Sequence, residues 1–81
     1  MSLESMVFDY FKACMSPHRD RRVIDSCLYW VRDAVQPIIE GMGYTWTDKT
    51  EQILIDAALN YSSSWQVSFL VFFMRRLQGY R

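Results

Sequence analysis

The residues best suited to chemistry are few. Cys14, His18 and Cys27 are the only thiol and imidazole groups in the 81-residue chain. Zinc favours thiolate and imidazole ligands, so these three are the first candidates for a metal site. Their spacing argues against one. Cys14 and His18 lie four apart, which would stack them on one helical face, but Ser16-Pro17 falls between them and breaks the helix. No C-x-x-C or H-x-x-x-H pair occurs. The expectation is no metal and no cofactor, with both cysteines reduced in apolar surroundings and the imidazole exposed.

Catalytic arrangements are equally thin. One histidine could serve as a base, but Ser62-Ser63-Ser64 lacks the G-x-S-x-G setting of a strained nucleophile turn. Gly41-Met42-Gly43 is too short for a phosphate-cradling loop and reads as a turn. Asp48 and Glu51 are a carboxylate pair whose spacing suits the first turn of a helix. No catalytic residue is expected, and the chain reads as a non-enzyme.

The arginines are the remaining polar constellation. Arg19, Arg21 and Arg22 cluster ahead of Arg32, and Arg75 and Arg76 lie near the C-terminus. Guanidinium groups on one helical face could follow nucleic-acid phosphates. Against this, Arg21 lies four residues and Arg22 three before Asp25, at intrahelical pairing distance. Arg75 and Arg76 suit the negative end of a helix. Nine basic residues balance nine acidic ones, with −3 in residues 1–56 and +3 in residues 57–81. That excludes a strongly basic nucleic-acid binder while leaving room for a local patch.

Four helical patterns must position these groups. The first covers about 3–15, where Leu3, Met6, Val7, Tyr10 and Cys14 recur at helical spacing behind Ser2 as N-cap. The second covers about 17–42, with Ser16 as cap and Pro17 in its first turn. Ile24, Leu28, Val31, Val35, Ile38 and Met42 form a seam spaced 4, 3, 4, 3, 4, and Val23 and Trp30 begin a second apolar edge. Pro37 predicts a kink or short break near Val35–Gln36. The third covers about 48–61, capped by Thr47 or Asp48. The fourth covers about 64–78, with Gly79 as its stop. Tyr44–Thr47 alternates and could be a short extended piece.

The fold class expected is all-α: one domain, 1–81, forming a compact four-helix bundle. No apolar run approaches the ~20 residues of a membrane span. No basic stretch followed by an apolar run opens the chain, so no signal peptide is expected, and the expected compartment is the cytoplasm. Thirteen aromatic residues give a short chain much core per residue and also favour interfaces. The third and fourth patterns are apolar nearly all round, which exceeds what a bundle this small hides. Phe8, Trp46, Trp65 and Phe72 are the expected leftovers. The functional expectation is a small regulatory or inhibitory protein that binds another protein through apolar helix faces, as a homodimer. The alternative is a dimeric helical binder of DNA or double-stranded RNA that uses Arg19, Arg21, Arg22, Arg32, Arg75 and Arg76.

Overall fold

A computed structural model describes residues 2–64 and 66–79. It contains four α-helices: α1 (Leu3–Met15), α2 (Arg21–Gly41), α3 (Asp48–Asn60) and α4 (Phe69–Gly79). A 3-10 turn, Tyr61–Ser64, extends α3, and no strand occurs among the described residues. The all-α expectation is correct. Trp65 lies outside the described residues.

Each helix begins where side chains satisfy its free amides. The Ser5 N–H donates to Ser2 Oγ at 3.1 Å at the start of α1. Thr47 caps α3 through a reciprocal box with Thr50, so Asp48 and Glu51 are first-turn acids and not the box itself. α2 starts later than the sequence pattern predicts. Asp20 is its N-cap, accepting from the Arg22 N–H at 2.9 Å, while Ser16 Oγ accepts from His18 N–H in the preceding turn. A carboxylate cap suits this site because it sets a negative charge beside Arg19, Arg21 and Arg22 at the positive helix end.

α2 runs unbroken through Pro37, so the predicted short break is absent. It ends in paired turns: Tyr44 N–H donates to Ile39 O and Gly43 N–H to Glu40 O. Gly43 adopts φ 97°, the left-handed conformation this ending needs at low cost only from glycine. Tyr44–Thr47 is an irregular connection instead of a strand. α4 begins at Phe69 and not near residue 64, because Ser68 Oγ caps it by accepting from Val71 N–H.

α3 is central. It packs on α1 and on α4, and buries Ile53, Leu54, Ala57 and Ala58. α1 packs along α2. The buried face of α2 is Ile24, Val31, Val35 and Ile39. That differs from the predicted seam at its C-terminal end: Ile39 turns inward, while Ile38 and Met42 are exposed. A straight helix repeats every 3.6 residues, so a 3.5-residue seam drifts off the contact line.

Aromatic rings join the helices. Tyr61 meets Phe8 at 5.7 Å, Phe69 at 5.4 Å and Phe72 at 5.5 Å between centroids. Phe69 stacks on Phe73 at 6.3 Å, and Phe73 meets Trp46 at 6.1 Å. Tyr61 donates its hydroxyl proton to the Val67 carbonyl. The phenols of Tyr10 and Tyr61 are pushed above their ordinary ionisation range, first by burial, then by Cys14 for Tyr10 and by Glu4 for Tyr61. In the unfolded chain both ionise near pH ~10, so their protonated forms are favoured only by folding. Stability should therefore fall as pH rises beyond ~10. Urea melts across alkaline pH check this, and Tyr10→Phe should flatten the decline.

One polar contact ties the chain ends together. Phe69 N–H, the first amide of α4, donates to Glu4 Oε2 on α1 at 2.9 Å. A carboxylate at a helix N-terminus pairs a charge-assisted hydrogen bond with a favourable dipole. Glu4→Ala should lower stability by about 1–2 kcal/mol. In thermal unfolding that appears as a loss of roughly 4–16 °C.

Candidate protein-interaction surface

The largest exposed apolar side chains gather on α2. Trp30 is 60% exposed, Val23 49% and Ile38 44%, with Met42 at the end of the helix. At 100° per residue, Val23, Cys27, Trp30, Ala34, Pro37 and Ile38 fall within an arc of about 100°. No charged residue interrupts that arc. Val23 and Ile38 stand about 22 Å apart along the axis. Cys27 and Ala34, on either side of Trp30, are half-buried and small.

The stripe adjoins a shallow groove of about 470 Å³ between α1 and α2, lined by Asp9, Lys12, Ala13, Val23 and Cys27 among others. The Cys27 thiol is pushed above its ordinary range by burial, with Asp9 and Cys14 adding to the shift. That disfavours the thiolate and makes Cys27 a packing residue instead of a nucleophile. Cys14 and Cys27 are both free thiols.

The other edge of the stripe is polar. Arg22, Ser26, Tyr29, Asp33 and Glu40 follow one another along it, all exposed. Its charge order runs against the helix dipole: α2 has no acid in its first turn and no base in its last. Arg21 is paired with Asp25 at 3.4 Å. Arg19, Arg22 and Asp33 form no ion pair among the described residues, and Glu40 meets only the Gln36 amide, at 3.3 Å.

Of the residues expected to remain exposed, Phe8, Trp46 and Phe72 have partners within the chain. Phe8 and Phe72 both pack on Tyr61, and Trp46 packs on Phe73 while donating its indole N–H to Glu51 at 3.2 Å. All three are half-buried. They belong to one aromatic network, whereas the bare apolar surface is on α2. The signal for it was present in the spacing of Val23 and Trp30, seven residues apart beside the seam.

The fold also divides the arginines. Arg32 is held by Glu51 at 2.5 Å and lies over the Tyr29 ring at 5.8 Å. Arg76 is held by Asp56 at 2.5 Å and lies over Phe72 at 4.8 Å. Arg19, Arg21, Arg22 and Arg75 are exposed. Three of the six thus have a carboxylate partner, which competes with phosphate.

No group of three or more His, Cys, Asp and Glu residues among the described residues could hold a metal ion. No described helix is long and apolar enough to cross a membrane. No family model, curated protein or solved structure matches the chain.

Proposed function

We propose that this chain is a non-enzymatic protein-binding module whose working surface is the outward apolar stripe of α2. It acts as a small regulator or inhibitor in the cytoplasm, by occupying a partner's apolar surface. The observation that carries this reading is the apolar stripe bearing exposed Val23, Trp30 and Ile38, uninterrupted by charge, on a regular helix. Exposed tryptophan on a rigid helix is costly to leave in water and strongly favourable to bury at an interface. The two free thiols agree with a reducing compartment. The paired state of Arg21, Arg32 and Arg76 makes phosphate tracking the weaker use of this surface.

The reading is tested by isolating the tagged chain and its Trp30→Glu variant from the native host at matched abundance. A protein held in stoichiometric amount by the first and lost from the second is the expected result. Equal recovery of every bound protein by both chains rejects it, as does nucleic acid as the stoichiometric companion, released by salt.

A further inference from the structure

We propose that the partner on this stripe is a second copy of the chain, with the two α2 helices packed antiparallel and a two-fold axis beside Trp30. The inference rests on the reading of α2 as the working surface and adds what covers it.

Charge order favours the antiparallel pair. Along the polar edge of the stripe, the N-terminal end is basic, with Arg22, and the C-terminal end is acidic, with Asp33 and Glu40. Within one chain this order is unfavourable, because cations lie at the positive end of the dipole and anions at the negative end. An antiparallel copy reverses the situation. A two-fold axis perpendicular to the helix pair keeps each polar edge on the same side, so Arg22 of one copy comes opposite Glu40 of the other. The exchange happens twice. A parallel pair, whose two-fold axis runs along the helices, would put the two polar edges on opposite sides of the seam and leave Arg22 and Glu40 without each other. Antiparallel packing also aligns the two helix dipoles head to tail.

The shape of the stripe suits the same pairing. With the axis beside Trp30, Val23 of one copy meets Ile38 of the other, and Cys27 meets Ala34. The two indoles lie close to the axis. Cys27 and Ala34, three positions before and four after Trp30, are small, so the other copy's ring can pack close to the helix there. A symmetric surface of this kind needs only one patch to be self-complementary.

Size sets the strength. α2 has 21 residues and is about 31 Å long, so a single helix pair buries an area near the low end of stable interfaces, ~1,200 Å² in total. An interface of this size is compatible with self-association in the micromolar range.

Charge reversal tests the arrangement, since Arg22 and Glu40 are exposed and outside the core. Arg22→Glu and Glu40→Arg each turn two attractive contacts of the pair into repulsive ones. Each should weaken self-association at least about tenfold in equilibrium sedimentation. Each also brings its charge into accord with the helix dipole, so the thermal stability of the monomer should hold or rise. An equimolar mixture of the two variants should form a heterodimer. The double variant R22E/E40R should regain wild-type self-association. A wild-type chain that stays monomeric from micromolar to millimolar concentration overturns the inference. So does a mixture of the single variants that fails to associate. If a monomeric wild type still holds a different protein through Trp30, the self-pairing falls and the protein-binding reading stands. If the chain dimerises equally well with Trp30→Glu, the self-pairing through α2 falls, and the protein-binding reading falls with it only if that variant also recovers every bound protein equally.

Discussion

Phe73→Ala is expected to destabilise the chain by about 3–5 kcal/mol. Phe73 is fully buried on α4, between the rings of Phe69 and Trp46. Removing a ring from such a site costs about 3–5 kcal/mol, because apolar burial is lost and a cavity remains. A domain of 81 residues has roughly 4–12 kcal/mol of total stability. The loss therefore removes between a quarter and all of it. Thermal unfolding followed by circular dichroism should show a midpoint at least about 12 °C lower, since 1 kcal/mol shifts a domain of this size by about 4–8 °C. Phe73→Leu keeps most of the volume and should cost less than half as much. A shift of only a few degrees for the alanine variant would mean that α4 does not close the core through this ring.

Trp30→Ala should have the opposite profile. Its side chain is 60% exposed, and it meets the ring of its neighbour Tyr29 at 6.1 Å. Alanine is the better helix former, so the stability of the isolated chain should change by no more than about 0.5 kcal/mol. Complex formation should suffer far more. A central tryptophan at an interface is worth about 2 kcal/mol or more when truncated, which is roughly a 30-fold loss of affinity. Titration calorimetry or sedimentation beside a thermal melt separates the two effects. Loss of folding together with binding would identify Trp30 as a core residue. Loss of neither would remove α2 from the interaction.

These two residues also show where the sequence is informative. Phe73 is legible as core because Phe69, Leu70, Phe73 and Leu77 share one helical face, and a ring repeated at that interval has little alternative to burial. The four helices were legible for the same reason. Boundaries were less so. Ser16-Pro17 has the form of a helix start, but Asp20 brings a charge next to three arginines and wins. The end of the α2 seam was misplaced because Ile38 and Ile39 are adjacent and chemically identical. Tertiary packing, and not their chemistry, decides that Ile39 turns inward.

The interaction surface was half legible. Val23 and Trp30 stand out as a second apolar edge, but whether a neighbouring helix covers that edge is a question of tertiary packing. α1 lies along one side of α2, and α3 and α4 pack mainly on each other and on α1. Conversely, Phe8, Trp46 and Phe72 look surplus when helices are considered singly. The central phenol of Tyr61 and the ring of Phe73 accommodate them once the bundle closes. Tyr61 and Glu4 could not have been singled out from spacing, since their partners are set by the closing of the 3-10 turn and by a contact 65 residues away.

The central claim is that the outward face of α2 is covered by protein in the working state. A photo-reactive benzoylphenylalanine in place of Trp30, irradiated in the native host, tests it most directly. The account predicts a covalent adduct to protein, absent when the same group replaces Gln52 on the exposed edge of α3. An adduct to nucleic acid, or no adduct above the Gln52 control, would contradict it.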